Sequence, residues 1–374
     1  MCIMNILIGI NLYMSNTKKA VVEAFAGVGV DIGGDNPSDF TVNDDRFYSR
    51  VMAKQSLGLG ESYMDGWWDC DDLSEMFSKL LRDDIRNHLK LNWSVVSGVL
   101  KAKLMNRQSS SRAFKIGEAH YDAGNDLYTA MLDEHMVYTC GYWRDASDLD
   151  EAQDAKLDLV CRKIGLKKGD RILDIGCGWG SFAKFAAEKY GASVVGVTVS
   201  KEQKKLADER CKGLDVEIRL QDYRDVNEKF DHIVSLGMIE HVGYKNYRTY
   251  MEVAEKNLKD GGLFLLHTIG SSKSSKTTDP WIEKYIFPNS MLPSIAQLGR
   301  AMEKLFVMED WHNFGNDYDL TLMEWFKNFD SAWPELKDKY DERFYRMWKY
   351  YLLTCAGSFR SRTNQLWQIV LSKK

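Results

Sequence analysis

Residues 171–180 read RILDIGCGWG: a short apolar run closes on Asp174 and then on three alternating glycines, Gly176, Gly178 and Gly180. Glycine permits turns and close approaches that a Cβ would block. The stretch therefore reads as a strand ending in a turn whose backbone comes close to a ligand. Working outward, SFAKFAAEKY is a helix, SVVGVTV a strand, KEQKKLADERC a helix and VEIRLQD a third strand. FDHIVSLG is a fourth strand, NYRTYMEVAEKNL a helix and GGLFLLHTIG a fifth strand. This alternation predicts an α/β fold, a doubly wound parallel sheet with helices on both faces. The near-continuous apolar strands agree, because such strands are buried on both sides. DPWIEKYIFPNSMLPS (279–294) interrupts the pattern with aromatics and prolines. LFVMEDWHNF, the helical TLMEWFKNF and ERFYRMWKYYLLTCAGSF, and a final strand LWQIVLS then resume it.

The chain has 374 residues, more than the roughly 250 at which a single core stops growing, so two domains are expected. A net charge of -4 argues against nucleic-acid binding. The 12% aromatic share leaves room for an aromatic-lined apolar site. Seven scattered cysteines, odd in number and without a CxxC pair, predict neither a zinc site nor a disulfide framework, and point to a reducing cytoplasm. The leader MCIMNILIGINLYM is shorter than the ~20 residues that span a bilayer. It lacks a basic start and a small-residue cleavage site. All the charges in KAKLMNRQSSSRAFK (101–115) are basic: Lys101, Lys103, Arg107, Arg112 and Lys115. Its serine run sets the expected boundaries: residues 1–103 as a smaller, mainly helical first domain, 104–115 as a basic linker, 116–374 as the catalytic domain. That linker is either a solvated hinge or a strap near anionic lipid headgroups.

In open parallel sheets ligands bind at the carboxyl ends of the strands, where strand order reverses. A dinucleotide fingerprint needs its third glycine three residues after the second, and here the glycines alternate. Asp174 would also repel a pyrophosphate; it suits a cationic ligand. The second strand ends with Thr198, followed by Gln203, in the place of a ribose-binding group. The third ends with Gln221 and Asp222, placed for an adenine edge. The fourth offers Glu240 or His241 and the fifth His267, groups that hold or move a proton. Tyr138, Thr139 and Cys140 lie just before this region, and Tyr318 falls in a loop after a late strand.

The motif LDIGCGWG resembles the first motif of class I methyltransferases, which bind S-adenosylmethionine. The longer series HYDAGNDLY, VYTCGYW, LDIGCGWG, GVTVSKEQ, LQDYRD, GMIEHVG, LLHTIG, WIEKYIFP and EDWHNFG resembles the cyclopropane-fatty-acyl-phospholipid synthase family. The likeness runs from GLGESYMDGWW (58–68) to TCAGSFRSR (354–362), almost the whole chain, and is closest to the two-domain bacterial form. The apolar leader departs from it.

The resemblance implies a class I, Rossmann-like catalytic domain that transfers a methylene from S-adenosylmethionine to a cis double bond of a phospholipid acyl chain. It implies a carbocation, which aromatic faces stabilise, and a bound bicarbonate that takes the proton as the ring closes. By motif, the anion's holders are Cys140, Glu240, His267, Ile269 through its N–H, and Tyr318. The cofactor side carries over as Tyr138, Thr139, Asp174, Gly176, Gly178, Thr198, Gln203, Gln221 and Asp222. Cys355 is also singled out by the family's motif, although a small buried cysteine on an apolar helix is its commoner role. The resemblance further implies a homodimer and peripheral contact with the inner face of the membrane. Trp67-Trp68, the 281–293 insertion and the basic linker are candidates for that contact. Two alternatives stay open: a lipid methyltransferase giving a methyl-branched or methylene product, and a silent lipid-binding homologue.

Overall fold

The computed structural model describes residues 16–85 and 124–374. The apolar leader, the basic linker and the first half of HYDAGNDLY lie outside the described residues. The chain packs as two units. One takes the residues up to Leu127 together with Asp279–Pro288 and Trp325–Thr363; the other takes Tyr128–Thr278, Asn289–Glu324 and Asn364–Lys374. The division is therefore not one cut in the chain. The first unit draws in two segments that the linear boundaries assigned to the catalytic domain.

The second unit is built on a seven-stranded sheet. Its strands are β1 (Arg171–Ile175), β2 (Ser193–Thr198), β3 (Val216–Leu220), β4 (Phe230–Leu236), β5 (Leu258–Ser271), β6 (Phe306–Asn313) and β7 (Asn364–Lys373). The spatial order is β3-β2-β1-β4-β5-β7-β6. The first five run parallel, and β7 pairs antiparallel with both β5 and β6. Sequence order reverses between β1 and β4, so the ligand crevice of a doubly wound sheet falls at the end of β1.

Alternating residues feed opposite faces. Leu173, Ile233, Phe264 and Ile369 pack in one buried cluster with Tyr250 and Met251 of α4 (Tyr247–Asn257). Ile172, Val234, Leu265 and Val370 pack in the other with Leu157 and Val160 of α1 (Leu149–Lys163) and Phe182 of α2 (Ser181–Tyr190). Three of the helices start where the sequence caps them. Asp148 accepts the Glu151 N–H at the head of α1. Ser200 does the same for Gln203 at the head of α3 (Lys201–Arg210), and Ser294 with Gln297 forms a capping box on α5 (Ile295–Met302). A sixth helix, α6 (Asn316–Leu336), follows β6.

The first unit is mainly helical around a small antiparallel pair, Phe40–Val42 with Trp68–Cys70. Trp68 is fully buried, edge-on to Phe40 and against Tyr63. Trp281 and Tyr285, from the insertion, are buried in the same unit, and Gly60 is bare because a Cβ there would run into the Trp281 ring. These aromatics are core, which removes Trp68, Trp281 and Tyr285 as membrane-facing candidates. Trp67 is only partly buried, with Arg50 3.4 Å from its ring centre. Among the described residues no helix is long and apolar enough to cross a membrane.

Candidate active site

The glycine turn leaves β1 in left-handed backbone: Gly176, Gly178 and Gly180 have φ of 81°, 54° and 77°. The Gly176 and Cys177 N–H groups both donate to the Val197 carbonyl, at 3.0 and 3.1 Å, which folds the turn back over β2. A Cβ on Gly176 would come within 2.7 Å of the Met238 side chain. Asp174, at the turn's entrance, is buried, and its Oδ2 has no protein partner. Burial pushes its carboxyl up to about 7, with the Lys156 charge acting in the opposite sense. Tyr128 lies against both Tyr138 and Trp179, at 5.2 and 5.0 Å between ring centres, forming an aromatic group beside the turn.

Along the crevice, Thr198 donates its hydroxyl to Gln203 Oε1 at 2.9 Å and accepts the Gln221 N–H on its carbonyl at 3.0 Å. Asp222 accepts from the Arg224 guanidinium and N–H, which hold its carboxyl below the usual range. The ends of β2 and β3 are thus brought together beside the turn, as the spacing predicts.

Two buried groups escaped the sequence reading. Lys156 of α1 is fully buried and donates to Thr139 Oγ1 at 2.9 Å; Gln153, one turn earlier, donates to the Thr139 carbonyl at 2.8 Å. Burial lowers Lys156 to about 8, while Asp133, Cys140 and Asp174 act to raise it. The signal was present in the helix pattern. Gln153 and Lys156 share the stripe of Leu149, Ala152, Leu157 and Val160, where polar residues need a reason.

The second cluster sits on β4 and β5. Glu240, in a short 3₁₀ turn after β4, is buried; its Oε1 accepts the Ile269 N–H at 2.8 Å and its Oε2 has no protein partner. Burial pushes this carboxyl up to about 7. Its neighbour His241 is exposed, which decides between the two. His267 is buried within β5, paired with Gln368 of β7, rather than at a strand end, because β5 continues to Ser271. Gln368 Nε2 lies 3.4 Å from His267 Nδ1, and His267 Nε2 has no protein partner. Desolvation drives His267 well below the usual imidazole range, keeping it neutral.

Two expected positions need correction. The Ile269 N–H donates to Glu240, and an amide has one hydrogen, so it orients the carboxylate instead of standing open to an anion. Tyr318 is not in a loop; it lies in the first turn of α6, buried. Cys355 lies on the helix Glu342–Arg360 of the first unit, with its thiol pushed up to about 12 by burial. Cys140 is buried, and its thiol is pushed up far enough to stay neutral. The segment that carries it is tied to α6 through Thr321. Phe314 bridges the two groups, its ring 5.9 Å from His267 and 5.3 Å from Tyr142.

A doubly wound sheet with a glycine turn at its switch point, an aspartate at the turn and polar strand ends beside it defines the class I methyltransferase fold. The chain belongs to the mycolic acid cyclopropane synthetase family, whose model matches residues 108–369. It is 56% identical over 358 residues to the cyclopropane-fatty-acyl-phospholipid synthase of Escherichia coli K12, covering 96% of this chain and 94% of that protein. Among solved structures, the cyclopropane synthase MmaA2 from Mycobacterium tuberculosis matches with a TM-score of 0.65 and 30% identity, over 72% of this chain and 100% of that one. The mycolic acid cyclopropane synthase CmaA1, complexed with SAH and CTAB, matches with a TM-score of 0.64 and 31% identity, over 68% and 96%.

Proposed function

We propose that this chain transfers a methylene from S-adenosylmethionine to the cis double bond of an unsaturated phospholipid acyl chain, closing a cyclopropane ring. One observation carries the reading. Glu240 Oε2, in the turn that follows β4, and His267 Nε2, within the neighbouring β5, are buried polar atoms without protein partners. Buried polar atoms are nearly always bonded, so this pair fits a small ligand that both donates and accepts. Bicarbonate has that character. The 56% identity to the Escherichia coli synthase supports the substrate class.

S-adenosylmethionine supplies an electrophilic methyl when bound. Asp174, Thr198, Gln203, Gln221 and Asp222 are the polar groups that fit it, and the bare turn at Gly176 and Gly178 allows close backbone approach. The alkene is a weak nucleophile, so the chain's main task is alignment. Alkene attack on the methyl would break its bond to sulfur, release neutral S-adenosylhomocysteine and move the positive charge to the acyl chain as a carbocation, and the faces of Tyr128, Tyr138 and Trp179 suit a positive centre. Loss of one proton from the new methyl closes the ring. His267, through Nε2–H, and Tyr318 donate to the anion that takes this proton. Glu240, held near pH 7, sits at the changeover between acceptor and donor, which matches an anion carrying one O–H. The Ile269 amide fixes the carboxylate, and the neutral Cys140 completes the set that the resemblance implies.

The lipid is met at the inner face of the membrane by peripheral contact, as the family resemblance implies. Homodimer assembly through the first unit rests on the family resemblance alone. The test is to incubate purified protein with labelled S-adenosylmethionine and vesicles of monounsaturated phospholipid, then resolve the acyl products. A product heavier by one methylene and resistant to hydrogenation is expected. A methyl-branched or methylene product sinks ring closure, and vesicle binding without transfer favours a silent lipid-binding protein.

A further inference from the structure

Residues 139–143 form a strap clamped from two sides. On one side lies α1: the Tyr142 N–H donates to the Ala152 carbonyl at 2.8 Å, and a Cβ on Gly141 would come within 2.9 Å of the Ala152 side chain. On the other lies the start of α6. The fully buried Thr321 hydroxyl accepts the Gly141 N–H at 3.1 Å and the Trp143 indole N–H at 2.9 Å, and donates to the Asp317 carbonyl at 2.8 Å. Its oxygen is also 3.8 Å from Cys140 Sγ. One turn earlier, Asp317 Oδ2 accepts the Trp143 N–H at 2.7 Å. A hydroxyl has two lone pairs and one hydrogen, and here all three are used. Between Asp317 and Thr321 sits Tyr318.

We propose that Thr321 is a positioning residue of the anion pocket: its hydroxyl sets the register of the 139–143 strap against the helix that carries Tyr318, so that Cys140 and Tyr318 keep one spacing. The inference rests on the bicarbonate reading above. The close Gly141–Ala152 approach stops the strap from moving towards α1, so its register along α6 depends on the bonds that Thr321 and Asp317 make. Valine has the shape of threonine without the hydroxyl. Thr321→Val therefore leaves the Gly141 amide and the Trp143 indole without a partner while changing little else. Thr321→Ser keeps the oxygen and should restore the wild-type behaviour.

The experiment uses the full chain in carbon-dioxide-depleted buffer, with bicarbonate as titrant. Two quantities are read: the bicarbonate concentration giving half-maximal methylene transfer, and the rise in melting temperature that bicarbonate produces over chloride, which reports binding without turnover. S-adenosylhomocysteine affinity, by calorimetry, serves as the control. In Thr321→Val the half-maximal bicarbonate concentration should rise about tenfold, as losing a buried hydrogen-bond partner implies. The bicarbonate-induced melting shift should shrink with it, the rate at saturating bicarbonate should change less, and S-adenosylhomocysteine should bind as before. Thr321→Ser should sit near wild type. A Thr321→Val protein with wild-type bicarbonate dependence overturns the role of Thr321 alone. An equal loss of S-adenosylhomocysteine affinity overturns it too, because the whole domain has then loosened. A wild-type protein indifferent to bicarbonate in both readouts overturns the anion assignment and the positioning role with it.

Discussion

Two buried glutamates, one in each unit, are shifted in opposite directions. Glu61 in the first unit is paired with Lys54 at 2.8 Å and Lys284 at 2.5 Å, and accepts from Tyr285 Oη at 3.1 Å; its carboxyl is lowered to about 2. Burial alone would raise it, and the two ammonium groups more than offset that. Glu240 in the second unit has one amide and a bare oxygen, and burial raises it to about 7. The difference separates a carboxylate that ties segments together from one kept ready for a ligand. Glu61 joins a residue near the chain's start to the helix Pro280–Tyr285, more than two hundred positions on. Glu240 reaches only the Ile269 amide on the neighbouring strand, and leaving its second oxygen bare costs stability, as a group kept for a ligand does.

The largest break expected is at Glu240. Glu240→Gln keeps an acceptor for the Ile269 amide and the side chain's volume. Transfer should fall on the order of 10²–10⁴-fold, with the melting temperature equal to or above that of the parent. Glu61→Gln should do the reverse. It leaves Lys54 and Lys284 facing a neutral group and should cost about 3 kcal/mol in urea unfolding, while molecules that remain folded keep their transfer rate. If both substitutions act alike, the contrast fails.

Measuring unfolding free energy against pH sharpens the same contrast. The folded-state value of Glu61 lies below its unfolded value, so its contribution is present above about 4.5 and is lost as pH falls towards 2. That of Glu240 lies above its unfolded value, so its contribution is present below about 4.5 and is lost as pH rises through 7. Relative to the parent, Glu240→Gln should gain stability between pH 4.5 and 7, and Glu61→Gln should lose it between pH 2 and 4.5. A smaller effect is expected at Lys156, whose partner is a single hydroxyl. Lys156→Met should weaken S-adenosylhomocysteine binding roughly tenfold. It should also remove a fall in affinity above pH 8, where the parent lysine loses its charge-assisted bond to Thr139.

The fold was legible because its central strands are apolar on both faces and several of its helices carry their own caps. The strands of RILDIG and SVVGVTV and the helix SFAKFAAEKY fall where the pattern puts them. Glu240 and the glycine turn were legible for the same reason: a strand end has a fixed place in a doubly wound sheet. What was not legible depends on partners far away in the chain. No local pattern says that Ile269 donates to Glu240, that Trp281 belongs under Gly60, or that Thr321 reaches back to Gly141, because such contacts are settled by tertiary packing. The linear domain boundary missed the segments 279–288 and 325–363 for that reason. Lys156 stood between these cases, visible as a charge on an apolar stripe yet without a stated partner.

Cys355 gives the smallest expected effect and the most direct check on motif transfer. Its thiol is held near 12 by burial, which keeps it protonated at neutral pH. It sits on a helix whose other face packs tightly, with Gly357 bare against Ser74 and Ser78 of the same unit. Ring formation needs an aligned alkene and a proton acceptor, and neither is a thiol. Cys355→Ser should therefore leave kcat/KM within about twofold, the range of substitutions away from special features. Any loss should follow the melting temperature. A tenfold drop in transfer at unchanged melting temperature would instead bring that helix into the chemistry, and the separation of the two glutamates into a structural and a functional unit would no longer hold.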